Sequence, residues 1–490
     1  MRKIMIILVV LFTCFVKLLY PQVKGDFSII RAEVDFDDVL REWDGFGFNY
    51  VQVCQTTDYD EWPQEYGGFS ILSPEQRNEI LDMIFGDDGL KPGLIKMFLD
   101  PLHEPESDGS YDHETTTKWM RYFVQEGLKR TRARGEDLKV LTTLYGPPAW
   151  ATMIRKIRGR DLDPSKKEQL ATYIIDWVRF LKKQDIPVKY VSLHNQGDKP
   201  YEWAAHGLDN HMGGGNDYNG YWPPEQVVDF LTFMRSMMDE AGLEDVGLTP
   251  GECSRWHYFD MYGYAAAIYD SPKALANLGL ITSHGFHKAP VSEWFGEQRS
   301  APIDLLRSKR PDLHAWVGSS SWLNNDVDTI REIYGNIYTA KVNGYIPWAG
   351  IQRPAEWLTQ EWNPKSAFRV FEDSTYRVLR GYYYYKQVCR AGQPGMSVCR
   401  TIVVDKEMAI LAFGSNNTQH PDAFVVINQA KRDSKDIGVE VNGSSATSWR
   451  AFRTTDNMQD EFSDIGPYSV KDGILYYTAP PRSCVTFFAE

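Results

Sequence analysis

From residue 45 to about 380, short apolar runs alternate with longer amphipathic stretches. The runs fall at 46–50, 94–99, 140–144, 188–193, 246–248, 278–282, 315–317 and 345–348. Between them, stretches such as 166–183 and 224–241 repeat apolar residues every three to four positions. That is the period of a helix with one buried face. Eight strand candidates alternating with helices predict an α/β fold closed as a (β/α)8 TIM barrel. A doubly wound sheet is the alternative, but no Gly-rich dinucleotide fingerprint is present.

Beyond Tyr385 the period changes. Segments 401–404, 408–413, 423–427, 437–441, 449–453, 475–477 and 484–488 are short and alternate apolar with polar residues. Gly, Asn, Asp and Pro separate them, which predicts an all-β sandwich domain. Segment 27–34 also alternates, and is expected to add a strand to that sandwich. A chain of 490 residues exceeds one ordinary core. The predicted division is a signal peptide at 1–25, one or more N-terminal strands of the sandwich at 26–42, the barrel at 43–384 and the sandwich at 385–490.

Composition narrows the partners. The net charge of -13 argues against a nucleic-acid backbone. Arg2 and Lys3 precede an apolar run at 4–16, the pattern of a secretory signal and too short for a spanning helix. A secreted, periplasmic or cell-surface location is expected, with Cys14 as a weak lipid-anchor feature. Cys389 and Cys399 flank a Gly-Pro turn region and are candidates to pair. No cysteine has zinc-ligand spacing, so no metal and no cofactor are implied. Aromatics make up 13% of the chain, with 15 Trp and 27 Tyr. Such a content suits a sugar-binding cleft or a large core.

Barrel active sites lie at the C-terminal strand ends. Asn49 follows the first run, and Asp100 with His103 the second. Tyr145 and Trp150 follow the third, in "YGPPAW". His194, Asn195, Gln196 and Asp198 follow the fourth. Glu252, Arg255 and Trp256 follow the fifth, and His284 with His287 the sixth. Ser319, Ser320 and Trp322 follow the seventh, Trp348 and Gln352 the eighth. Eight polar or aromatic strand ends read as a lined cleft. Trp150, Trp322 and Trp348 are candidates to stack on sugar faces or to cap the barrel core. His284 is expected to bond a sugar hydroxyl. Residues 206–222 form a Gly/Asn-rich loop that suits a cleft wall or plain surface.

Four stretches carry a resemblance. "DGFGFNY" at 44–50, "YGPPAW" at 145–150, "HNQG" at 194–197 and "APPRSCVTFFA" at 479–489 resemble, in order and spacing, glycoside hydrolase family 30. The resemblance implies a barrel with a side sandwich that the N-terminal strand joins. It also implies a secreted glycosidase cleaving a polysaccharide or oligosaccharide with two carboxylates: an acid/base after strand four and a nucleophile on strand seven.

The chain departs from that pattern twice. Gln196 stands at the acid place, and an amide has no catalytic proton to give. An inactivating Glu→Gln replacement that leaves the pocket intact is one explanation. Natural conversion to a carbohydrate-binding pseudoenzyme is the other. The strand-seven place falls near Ser319, also not a carboxylate. Glu252, after Pro250-Gly251, is the clearest carboxylate at another strand end, and is read as the second catalytic group. A salt bridge to Arg255 is its bland alternative. Asp100 is a further candidate base, or a loop cap before Pro101.

Overall fold

A computed structural model of the chain describes residues 29–52, 66–157, 159–198, 219–286, 299–353 and 365–490. The expected signal peptide, Cys14, Cys54, His287 and residues 206–218 of the Gly/Asn-rich loop lie outside the described residues.

The chain opens with β1 (Ile30–Glu42), whose Ala32, Val34 and Phe36 are buried at alternate positions. Eight parallel strands follow: β2 (Gly45–Asn49), β3 (Leu94–Leu99), β4 (Lys139–Leu144), β5 (Val188–Ser192), β6 (Gly247–Thr249), β7 (Ile281–Ser283), β8 (Ala315–Ser320) and β9 (Gly344–Pro347). Their order is β6-β5-β4-β3-β2-β9-β8-β7. Single parallel bridges, Leu248 to Leu278 and Cys253 to Ser283, close β6 against the β7 segment. The barrel is therefore complete.

The helices between strands cover the outside. The helix Lys167–Lys183 buries Leu170, Ile174, Trp177, Val178 and Leu181 along one face. Its Trp177 Nε1 donates to Thr142 Oγ1 of β4 at 2.9 Å. Inside, Leu94, Leu141, Leu280, Trp316 and Ile346 form a separate apolar cluster. Successive side chains of a strand point to opposite faces, so the residue two positions on also faces inward. At the N-terminal end of the barrel, the buried Asp44 carboxylate accepts from Trp316 Nε1, His314 Nδ1 and Lys139 Nζ at 2.8, 2.6 and 2.6 Å.

After β9 comes a small sheet of β10 (Ile351–Gln352), β11 (Phe368–Val370) and β12 (Tyr376–Val378). These strands are too short to show a period in sequence. The helix Arg380–Ala391 then lies between the two domains. Its Tyr385 hydroxyl donates to Gly47 O in the barrel at 2.7 Å, and Gln387 Nε2 donates to Thr454 Oγ1 at 2.9 Å.

The remaining strands are β13 (Ser397–Val403), β14 (Met408–Gly414), β15 (Ala423–Asn428), β16 (Lys435–Asn442), β17 (Ser448–Thr455), β18 (Glu461–Ser469), β19 (Ile474–Ala479) and β20 (Ser483–Ala489). With β1 they make one nine-stranded sheet, ordered β18-β17-β20-β15-β14-β13-β1-β16-β19. The N-terminal strand thus joins the sandwich as expected, antiparallel to β13 and parallel to β16. The sheet encloses Val34, Phe36, Phe424, Trp449 and Phe487. Only β18 escaped the sequence pattern; it is polar and carries Gly466 and Pro467.

The expected pairing of Cys389 with Cys399 does not occur. Both are free and buried, as are Cys253 and Cys484. Cys389 sits on the interdomain helix in the barrel-side core, whereas Cys399 on β13 belongs to the sandwich core. Among the described residues, no helix is long and apolar enough to cross a membrane.

Candidate active site

Glu252 reaches the barrel centre because the chain turns at Gly251 after β6. Gly251 has φ +93°, and a Cβ there would meet His194 Cδ2 at 2.1 Å. Only glycine tolerates both that backbone and that approach. Past that glycine, Glu252 N donates to His194 O at 2.9 Å and Gln196 N donates to Glu252 O at 2.8 Å. Residues 196 and 252 are thereby brought to neighbouring strand ends.

The Glu252 side chain is fully buried and makes three contacts. Oε2 is paired with Lys96 Nζ from β3. Oε2 also accepts from His284 Nε2 at 3.0 Å. Oε1 accepts from Thr143 Oγ1 of β4 at 2.7 Å. On β8, a Cβ at Gly318 would come within 2.8 Å of Oε2, so the missing side chain leaves room for the carboxylate. Burial by itself pushes the Glu252 pKa up. The Lys96 charge and the His284 hydrogen bond outweigh burial and hold it well below the usual carboxylate range. Glu252 is therefore an anion near neutral pH and has no proton to donate.

His284 continues the chain outward. With its Nε2–H given to Glu252, the other ring nitrogen is an acceptor. Gln196 Nε2 lies 2.9 Å from Nδ1 and donates there. One directed path therefore runs from the Gln196 amide through the imidazole to the carboxylate. Two hydrogen bonds and one imidazole ring thus link the Gln196 amide to the Glu252 carboxylate. Gln196 has φ +48°, left-handed backbone for a non-glycine residue. Such a conformation costs about 1–3 kcal/mol, and such residues cluster at functional sites.

The other expected residues divide into three groups. Some present unsatisfied polar atoms. Asn49 is buried with neither amide atom bonded. It lies on the same face as Gly47, which packs against Leu94 and Ile346 inside the barrel. Asn195 donates to Asn219 Oδ1 at 2.7 Å and leaves its Oδ1 without a partner. Asp100 accepts from Leu102 N at 2.8 Å, as a loop cap would, but its buried Oδ2 is unbonded. Burial lifts its pKa to about 7. Trp150 and Trp348 are only half-buried; each indole is bonded, to Glu104 O at 2.8 Å and Tyr66 OH at 3.3 Å.

A second group braces the site. His194 Nδ1 accepts from Gly197 N at 3.0 Å, and its ring packs 5.7 Å from Trp222. Burial depresses its pKa to about 3, so it stays neutral. Asp198 accepts from the Ser254 backbone and hydroxyl at 3.1 and 2.7 Å, fixing the loop after Glu252. Tyr145 is buried edge-on to Phe98, with ring centroids 5.0 Å apart. Gln352 Nε2 donates to Ala349 O at 3.0 Å within its own loop.

The third group corrects the expectation. His284 has both ring nitrogens engaged by Gln196 and Glu252, so the sugar-hydroxyl role fails. Trp322 is buried, donates to Trp348 O at 2.6 Å and packs edge-on to Tyr385 at 5.3 Å; it is core. Gly318 faces the Glu252 carboxylate; beyond it the pairing of β8 with β9 shifts by one residue between Val317 and Ser320, and the buried Ser319 hydroxyl has no bonded partner. Arg255 is not the partner of Glu252. Its guanidinium lies 5.1 Å over the Tyr258 ring, and Lys96 takes the salt bridge instead.

Lys96, Thr143 and Gly318 were not singled out from sequence. One signal was available for Lys96. It is a lysine inside the wholly buried run "LIKMFL", and unpaired lysine is almost never fully buried.

A closed eight-stranded barrel flanked by a β-sandwich is a fold found among several glycoside hydrolases of known structure. In particular, the fold is that of glycoside hydrolase family 30. A conserved exported protein from Bacteroides fragilis is similar at TM-score 0.71 and 14% identity, covering 94% of this chain and 99% of that one. The catalytic domain of a family 30 xylanase C from Talaromyces cellulolyticus gives 0.69 and 15%, covering 94% and 100%. A family 30 endoxylanase from Clostridium papyrosolvens C71 gives 0.65 and 15%, with the same coverage. Among curated proteins, glucuronoxylanase XynC from Bacillus subtilis (strain 168) is 20% identical over 297 residues, or 59% of this chain. That match spans about half of the relative, 55% of its length. No protein-family model matches the chain.

Proposed function

We propose that this chain is built as a glycoside hydrolase acting on O-glycosidic bonds of a polysaccharide or oligosaccharide, outside the cytoplasm, with its acid place held by Gln196. The observation that carries the reading is the directed path from Gln196 through His284 to an ionised Glu252. A Glu at 196 would donate its proton to the glycosidic oxygen as the C–O bond breaks. Glu252, unable to donate, would stabilise positive charge at the anomeric carbon or act on a water. Asn49 and Asn195, with unbonded buried amide atoms, supply groups to bond sugar hydroxyls. Trp150 and Trp348 supply aromatic surface.

The second reading is a carbohydrate-binding pseudoenzyme. It is favoured by the fit of the amide itself, whose Nε2 lies 2.9 Å from Nδ1 of His284. Hydrolysis of a polysaccharide panel by this chain and by Gln196→Glu separates the two. Activity in the Glu form alone supports a glycosidase with position 196 as its acid. Binding without hydrolysis in both forms supports the pseudoenzyme, and neither binding nor hydrolysis rejects both readings.

A further inference from the structure

The nine-stranded sheet leaves one seam open. Its edge strands β18 and β19 are not hydrogen-bonded neighbours, and they meet through Tyr468 and Tyr477, whose rings lie edge-to-face 5.6 Å apart. At this seam is a cleft of about 500 Å³. Three tyrosines, Tyr468, Tyr476 and Tyr477, line it together with Asp436, Arg453 and Thr478. Its size falls within the usual range for small-ligand sites.

The lining has a specific chemistry. Tyr476 is 50% exposed, on a strand whose Leu475 and Tyr477 turn inward. Its cross-strand partner on β16 is Gly438, where a Cβ would lie 3.3 Å from Tyr476 Cε1. The absent side chain lets the ring settle against the sheet and offer its other side to solvent. Thr478, two residues on, faces the same way and donates to Asp436 Oδ1 at 2.6 Å. Arg453 Nε is committed to Asp460 at 2.8 Å. The Tyr477 hydroxyl is buried without a hydrogen bond of normal geometry, with the Arg453 guanidinium beside it. One carboxylate and one guanidinium balance, so the cleft selects no strongly charged ligand. An exposed ring flanked by neutral hydroxyls and bonded polar groups matches a pyranose, apolar on its C–H face and hydroxylated at its edge.

An added polypeptide strand fits less well. The β18 edge carries Gly466 and Pro467, and its pairing with β17 shifts register twice. Proline and bulges blunt an edge against further strand pairing. We infer that this cleft is a second glycan-binding site, for neutral pyranose units, separate from the barrel. The inference rests on the glycan reading of the barrel only for the kind of partner, and it is tested apart from it.

The test is affinity electrophoresis of the full chain through gels holding soluble xylan, β-glucan or mannan. The parent, Tyr476→Ala, Tyr476→Phe and the barrel-rim variant Trp348→Ala are run side by side. On at least one glycan, Tyr476→Ala is expected to weaken retardation fivefold or more, with an unchanged thermal midpoint. Tyr476→Phe should keep most of it, and Trp348→Ala should leave the Tyr476-dependent part in place. Equal retardation of Tyr476→Ala and parent overturns the inference. So does loss of all retardation in Trp348→Ala alone, which would leave the barrel reading standing. A parent that no glycan retards also overturns it, and the hydrolysis panel then judges the barrel by itself.

Discussion

Two layers of the barrel interior, two residues apart on the same strands, have opposite chemistry. Leu94, Leu141 and Trp316 belong to the lower, apolar layer. Lys96, Thr143 and Gly318 stand directly above them on β3, β4 and β8, around the Glu252 carboxylate. The lower layer gains stability from burial alone. The upper one desolvates a lysine and a glutamate, and their attraction repays that penalty only with good geometry and further hydrogen bonds. Well-packed apolar residues of similar volume would often hold such a place as well. An ionic layer kept at the strand ends, where barrel chemistry occurs, is therefore better explained by use than by stability.

The comparison can be broken from either side. Lys96→Met leaves Glu252 as an uncompensated buried anion and should cost about 3–5 kcal/mol. Urea unfolding checks this, and the paired change Lys96→Met with Glu252→Leu should recover most of the loss. Failure of the pair to recover would mean that the ion pair is structural in its own right. Below it, Leu141→Ala should cost about 2–4 kcal/mol through the cavity it opens, measured the same way. It should leave the pH dependence of stability unchanged, because no charged group is touched.

A third prediction contrasts two buried carboxyls. The Asp100 pKa is raised to about 7, above its unfolded value, so folding takes up a proton between roughly pH 4 and 7. Stability from this group is full at low pH and is lost as pH rises through 7. Asp100→Asn keeps the acceptor for Leu102 N and should stabilise the protein by about 2 kcal/mol at pH 8, with no gain at pH 4. Thermal unfolding at both pH values reads it, and a gain independent of pH would contradict the assignment. Glu252 behaves oppositely. Its pKa is held below the unfolded value, so its contribution is complete above about pH 5 and fails only in acid. An effect of similar size is expected from Gly318→Ala. Its Cβ would stand 2.8 Å from Oε2, which should cost about 1–3 kcal/mol as the carboxylate is pushed aside. Nearly neutral stability would show that Glu252 has space to move.

Much of this molecule was legible along the chain. Each of the eight barrel strands lies at an apolar run marked from sequence, and Gln196 and Glu252 stood out as polar groups at strand ends. The misses have physical causes. Trp322 and Trp150 look alike in sequence, and only packing against Tyr385 makes the first one core. The Cys389–Cys399 pair looked close because the two flank a Gly-Pro turn region with only nine residues between them, but a helix and a strand carry them into different cores.

By itself, the sequence determined the repeating units. Periods of two and of three to four are local, and they set strands, helices and the order in which they close. It also placed polar groups at every strand end. Which of those groups meet was decided only by closure of the barrel. Lys96 and Glu252 are 156 residues apart, and Gln196 and His284 are 88. No local period encodes contacts of that span. They arise because parallel strands in a closed ring aim their inward residues at one axis.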